Sequence, residues 1–451
     1  MSDKEILTRI GIKDLSFDFL TISQLVKRGI IEKPLDGNHG EIHPKSEDFV
    51  NSGIPFIMAS DINNGAVDYI NCKFITKKQA DNLRKGFAKS GDVLLTHKAT
   101  IGRTAIIKYD EQPYVMLTPQ VTYYRVRDQQ KLDRQYLCYF FESPFFQDTL
   151  SLWASSGSTR AYLGITEQGK LPFVLPPINK QRKIAAIISA YDELIENNQQ
   201  RIALQEKMAE EIYREWFVRL RFPGHEKVKK IKGMPEGWEV ETLGRLLAEI
   251  IDYRGITPAK LNSNWENKGI IALSALNVKN GRLIKLEDAG RVSEALYERW
   301  MRKKLEPFDI LLTSEAPLGQ VYMLMDSEKY VLSQRLFGLR ANPKRISPCY
   351  LYHYLLFPIG QNQLIARATG STVGGIRQQL LKQVEVVVPT ESLLKSYTEI
   401  VQPMFKCIYR LSQQNDLLTK SRDMLLPRLI SGKLSVEHLD IQFPPGMEDR
   451  P

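Results

Sequence analysis

The sequence has little of what most enzyme chemistry needs. Its 451 residues hold four cysteines, Cys72, Cys138, Cys349 and Cys407, and no C-x-x-C pair. Scattered thiols exclude a disulfide framework or a zinc ribbon, and they read as small core residues of a reducing compartment. The six histidines form no cluster apart from His39-Gly40-Glu41-Ile42-His43. There the glutamate stands in the wrong slot for a zincin, and Gly37 and Pro44 oppose the helix such a site requires, so no metal site is expected. No run approaches the ~18 apolar residues that span a bilayer. Met1 to Asp14 carries no apolar leader stretch. The expectation is a soluble, cytoplasmic protein. Also missing are a G-x-x-x-x-G-K-[ST] phosphate loop and a G-x-G-x-x-G after a strand. Leu175-Pro176-Pro177-Ile178 is not the Asn/Asp-Pro-Pro-Tyr tetrapeptide of amino-methyltransferases. No catalytic residue and no cofactor is therefore expected of the chain itself.

What is present suits a chain with real cores: 43% apolar and 25% charged residues, long enough for two or three domains. The net charge of +10 is compatible with a polyanionic partner without demanding one.

The sequence is duplicated. Gly53-Ile54 matches Gly269-Ile270 and Asn64-Gly65 matches Asn280-Gly281, both at an offset of 216. Asp92-Val93-Leu94-Leu95-Thr96 matches Asp309-Ile310-Leu311-Leu312-Thr313, and Gly102 matches Gly319, at 217. Tyr136-Leu137, Pro144 and Gln147 match Tyr350-Leu351, Pro358 and Gln361 at 214, and Gly157-Ser158-Thr159 matches Gly370-Ser371-Thr372 at 213. The matches run in order, and the offset drifts by four residues, which small loop deletions explain. The period is too long for a solenoid and is that of a domain plus a connector.

Each half opens with an α/β (α+β) globular part. Strands are predicted over Asp92–Thr96, Gln120–Val126 and Val384–Val388, rich in β-branched and aromatic residues. Amphipathic helices are predicted near Arg134–Phe141 and Pro348–Phe357. A long helix then follows a proline-ended strand. Its seam recurs in steps of three and four: Ile188, Tyr191, Ile195, Asn198 and Ile202 in the first half, and Met404, Ile408, Leu411, Asn415 and Leu418 in the second. Such spacing over about four heptads predicts a coiled coil. Each seam carries an asparagine, either a register-setting buried residue or a solvated one near a helix end. Pro403 predicts a late start or a kink in the second helix. A helix of roughly 36 residues is a rod about 55 Å long, and antiparallel pairing within one chain would set one head at each end. The predicted organisation is a first head over 1–178, a helix over 179–220, a Lys/Gly/Pro-rich linker over 221–234, a second head over 235–390, a helix over 391–432 and a tail over 433–451.

Three stretches carry a family resemblance. Gln181-Arg182-Lys183-Ile184-Ala185-Ala186-Ile187-Ile188-Ser189-Ala190-Tyr191-Asp192-Glu193-Leu194-Ile195-Glu196 resembles the central conserved helix of the specificity subunits of Type I restriction–modification enzymes. Pro235-Glu236-Gly237-Trp238-Glu239 is similar to that family's entry to a recognition domain, and Leu425-Leu426-Pro427-Arg428-Leu429-Ile430-Ser431-Gly432-Lys433 to its C-terminal tag. No Gly-Trp-Glu entry precedes Leu20. The resemblance implies two target recognition domains that each read half of a split, asymmetric DNA sequence. It also implies an antiparallel coiled-coil ruler and modification subunits that use S-adenosylmethionine to methylate adenine. Restriction subunits that use ATP and Mg would complete the complex, and the specificity subunit would bind without catalysing.

A DNA reader needs Arg or Lys for phosphates, polar side chains for base edges and glycine for close approach. The candidates are Lys98, Arg103, Thr104, Ser158, Thr159, Arg160 and Tyr162 in the first head, and Gln320, Ser371, Thr372, Arg377 and Gln378 in the second. A bare surface turn is the alternative reading of each Gly-Ser-Thr. Lys98 and Arg103 face Glu315 and Gln320 across the duplication, as expected of heads reading unlike half-sites. Two other readings stay open: a methyltransferase or nuclease with a fused recognition region, which a cofactor motif would have marked, and a coiled-coil scaffold with no role on DNA.

Overall fold

The computed structural model describes residues 12, 14, 17–38, 42–63, 65–154, 161–370 and 374–443. Two compact units emerge, one from Met1–Glu196 with Asn415–Pro451, the other from Asn197–Gln414. Each contains one globular head and a segment of both long helices.

In the first unit, Asp18–Thr21 pairs antiparallel with Pro172–Leu175. An antiparallel sheet runs Leu35–Asp36, Val121–Tyr124, Val93–Lys98, Thr100–Ile106 in spatial order. A second sheet, Lys73–Ile75, Ile54–Ile57, Val115–Leu117, Phe87–Ala88, holds one parallel pair between Ile54–Ile57 and Val115–Leu117. Helices Arg134–Glu142 and Pro144–Ala154 pack on the strands around Thr100–Ile106. Asp133 starts the first of them by accepting from the N–H of Gln135 and Tyr136.

The second unit repeats the plan. Glu239–Thr242 pairs with Glu385–Val388. Leu247–Asp252, Leu336–Ala341, Ile310–Thr313 and Val321–Met323 form the antiparallel sheet. Arg291–Val292, Ile270–Leu273 and Tyr330–Leu332 form the other, again with one parallel pair. Helices Pro348–Leu356 and Pro358–Ala366 follow. The strand Asp18–Thr21 therefore stands where Glu239–Thr242 stands.

The residues that repeat in sequence make the same bonds twice. Gln147 Nε2 donates to the carbonyls of Gly102 at 2.8 Å and Phe141 at 2.6 Å; Gln361 Nε2 donates to those of Gly319 at 2.8 Å and Leu355. Gly102 and Gly319 sit at φ +87° and +89°, and a Cβ on either would strike that glutamine. Buried Asp92 holds Arg125 through two bonds of 2.8 and 2.7 Å, and buried Asp309 holds Arg340 at 2.9 and 2.8 Å. The hydroxyls of Tyr136 and Tyr350 donate to the carbonyls of Val174 and Val387. Asn64 and Gly157-Ser158-Thr159, with Ser371 and Thr372, lie outside the described residues.

The long helices are Ile178–Tyr213 and Glu391–Ile430. In the first unit they run antiparallel, Arg422 meeting Asp192 at 2.7 Å and Asn415 Nδ2 meeting the carbonyl of Ile195 at 3.4 Å. Ile184 and Ile188 share a core with Leu426, Leu429 and Ile430. In the second unit Ala209 and Tyr213 share one with Tyr397 and Val401. Ile188, Asn198, Ile202 and Leu411 are buried, and Tyr191, Ile195, Met404, Ile408, Asn415 and Leu418 are half-buried. Among the described residues no helix is long and apolar enough to cross a membrane.

One expectation needs correction, and two others gain detail. Pro403 neither delays nor breaks the second helix; it is exposed, so water can serve the carbonyl its missing N–H leaves open. The 221–234 segment is more than a solvated connector. Lys230–Ile231 and Met234–Pro235 form a hairpin, and Phe222 packs 5.6 Å from Trp238, although Lys227, Lys229, Lys230 and Lys232 are exposed. The helices predicted near Arg134–Phe141 and Pro348–Phe357 are Arg134–Glu142 and Pro348–Leu356, and each is followed by a second, Pro144–Ala154 and Pro358–Ala366, that opens on its proline and was not predicted.

Candidate nucleic-acid interface

In the first head the tip of the Val93–Lys98/Thr100–Ile106 hairpin forms an open cleft of about 410 Å³ with Ser60, Asn63, Lys98, Thr100, Arg103 and Gln120 on its walls. Ala99 turns the hairpin at φ +65°. The segment Ala161–Leu163 docks on this tip: Ala99 N–H donates to Ala161 O at 3.1 Å, and Leu163 N–H to His97 O at 3.0 Å. Lys98 thereby lies beside Tyr162, its ammonium 5.9 Å from the ring centroid, with Tyr162 half exposed. His97 lies beneath. Burial holds its pKa below the usual imidazole value, and its Nδ1 lies 3.0 Å from Leu163 O, so it adds no cation to the rim.

Arg103 does a different job. Its Nη1 lies 3.1 Å from the carbonyls of Ala59 and Ile62 and 2.9 Å from Asn63 Oδ1, tying that loop to the hairpin. Thr104 corrects the sequence reading: it is 4% exposed and donates to Glu142 Oε1 at 2.9 Å, facing the interior and not a ligand.

The second head repeats the hydrogen bonds of this tip with different side chains. Thr313 Oγ1 accepts from Gln320 N–H at 2.8 Å, as Thr96 Oγ1 accepts from Arg103 N–H at 2.9 Å. Gln320 Oε1 accepts from Asn280 N–H at 2.8 Å, so glutamine ties the loop that arginine ties in the first head. Glu315 pairs with Gly375 as Lys98 pairs with Tyr162. Arg377 is exposed, and its side chain has no bonded partner among the described residues; Gln378, half-buried, opens the short helix Gln378–Leu381. Ser158, Thr159, Arg160, Ser371 and Thr372 lie outside the described residues.

Sequence reasoning missed Gln120, Arg335 and Arg254. Arg254 donates twice to Asp252, reaches Ile376 O at 3.2 Å and covers the Phe337 ring at 3.8 Å, fixing the segment that leads to Arg377. The offset drift held a signal for the other two. Thr118-Pro119-Gln120 and Ser333-Gln334-Arg335 precede equivalent strands at an offset of 215, between the 217 and 214 of their neighbours. The heads thus combine a shared frame with rims that differ in charge. Among the described residues no three His, Cys, Asp or Glu side chains are grouped to hold a metal ion.

Known proteins are similar to this chain. Residues 29–206 match the Type I restriction modification DNA specificity domain. The Type I restriction enzyme MjaIX specificity subunit of Methanocaldococcus jannaschii is 26% identical over 402 residues, 88% of this chain and 90% of its own. The MjaVIII specificity subunit of the same organism is 25% identical over 283 residues, 61% of this chain and 64% of its own. The solved S subunit of the Type-I restriction-modification system from M. genitalium has the same fold, with a TM-score of 0.59 at 16% identity over 93% of this chain and 96% of that one. In its duplicated heads, its paired long helices and these likenesses, the chain is similar to the specificity subunits of Type I restriction–modification systems.

Proposed function

We propose that the chain binds a bipartite, asymmetric DNA sequence, one head to each half, and directs adenine methylation and ATP-dependent cleavage performed by partner subunits. The observation that carries this reading is the contrast within the duplication. Both heads keep Asp92/Asp309, Gly102/Gly319 and Gln147/Gln361 in identical bonds, whereas Lys98, Gln120 and Tyr162 give way to Glu315, Arg335 and Gly375. Identical frames with unlike rims suit two readers of unlike half-sites. The heads over 1–178 and 235–390 are the readers, the helices over 179–220 and 391–432 the spacer, 221–234 the linker and 433–451 the tail.

In this reading Lys98, Arg160 and Arg377 contact DNA, together with Ser158, Thr159, Tyr162, Ser371, Thr372 and Gln378. S-adenosylmethionine, ATP and Mg belong to the modification and restriction subunits. The test is binding and methylation of duplex DNA by the assembled complex and by this chain alone. The expected result is methylation by the complex and none by the chain with S-adenosylmethionine. Methylation by the chain alone would overturn the non-catalytic assignment.

A further inference from the structure

The two heads place charge differently at one equivalent point of the rim. His97 N–H donates to Gln120 O at 2.9 Å, and Ser314 N–H donates to Arg335 O at 2.8 Å, so Gln120 and Arg335 occupy the same place beside Lys98 and Glu315. In the second head Arg335 Nε lies 3.0 Å from Glu315 Oε1, with the two side chains 54% and 40% exposed. Arg335 holds φ +61°, a conformation that non-glycine residues adopt with strain. Nothing in the packing needs an arginine there: its side chain lies outside the core, and so exposed an ion pair contributes little to stability. Gly375 opens the room for Glu315; a Cβ there would meet its Cβ and Oε2 at 3.2 Å. All three residues at this point differ from Lys98, Gln120 and Tyr162, although the threonine and glycine that flank them are repeated.

We propose that Arg335 is the base-reading residue of the second head, that Glu315 is its positioning residue, and that together they select a guanine in that head's half-site. The ion pair is made on the Nε edge. A guanine presents O6 and N7 in the major groove, a spacing that the terminal edge of a guanidinium matches with two hydrogen bonds. A carboxylate fixed on the Nε edge orients that terminal edge before DNA arrives, and a lysine cannot supply the fork. The inference rests on the reading of the chain as a DNA-sequence reader.

The experiment is a genome-wide map of methylated adenines in cells carrying the whole complex with the unaltered chain, Arg335→Ala, Arg335→Lys or Glu315→Gln, with melting temperatures of the purified complexes. For both arginine variants, the expected result is discrimination at one guanine of one half-site falling by roughly 10- to 100-fold, with the other half-site sharp. Glu315→Gln relaxes the same position by a smaller factor with the melting temperature unchanged, which a merely structural role would not do. A motif that stays intact while methylation weakens evenly at all sites would make Arg335 a phosphate contact and overturn the proposal. So would Arg335→Lys retaining the guanine, or no change in any variant. No bipartite motif with the unaltered chain would instead remove the DNA-reading function itself.

Discussion

Charge in this protein is of two kinds, and single residues tell them apart. Asp92 is buried and holds Arg125, whereas Lys98 stands exposed on the rim. Arg125→Met should leave a buried carboxylate without its cation and destabilise the chain by about 3–5 kcal/mol, whereas Lys98→Ala should stay within about 0.5 kcal/mol. Urea midpoints compare the two, and equal losses would contradict the division into frame and rim. Glu142 belongs to the frame. Burial pushes its pKa up to about 7, with Asp192 and Asp423 adding to the rise and Thr104 and Arg422 opposing it. A carboxyl raised in the folded state contributes stability that is fully present below its unfolded pKa and is lost as pH rises through about 7. Stability should therefore fall between about pH 4.5 and pH 7, and Glu142→Gln should flatten that part of the profile. A profile unchanged by the substitution would count against it.

At the scale of elements, the long helices were the most legible part of the sequence, because a 3.5-residue seam is a local pattern that survives any tertiary context. The strands Val93–Lys98, Val121–Tyr124 and Glu385–Val388 were legible for a similar reason. The second helix of each pair was not, since a proline signals both an end and a start. The seam makes opposite predictions for two polar residues. Arg422 joins the two helices through Asp192, which also accepts from the Tyr139 hydroxyl at 2.6 Å. Arg422→Leu should destabilise by roughly 1.5–3 kcal/mol, the worth of a hydrogen bond to a charged group. Asn415→Leu should raise the melting temperature, since a seam asparagine lowers stability in return for register. A lowered melting temperature on Asn415→Leu would contradict its seam placement.

Across the whole molecule, the duplication was readable because glycines, buried acids and carbonyl-capping glutamines tolerate few substitutes, so both copies retain them. The rims were not readable to the same degree. Lys98 and Tyr162 are 64 residues apart in sequence and meet only because the segment Ala161–Leu163 docks on the hairpin tip. Arg103 and Thr104 looked like ligand contacts by composition, yet one ties a loop and the other faces inward. Arg335 was hidden because its partner Glu315 lies across a strand pair.

The central claim is that one chain carries two different readings, and methylated-adenine mapping with and without its gene tests it most directly. The account predicts a single bipartite, asymmetric motif that vanishes when the gene is removed. A motif that persists without the gene, or a palindrome read identically in both halves, would contradict it.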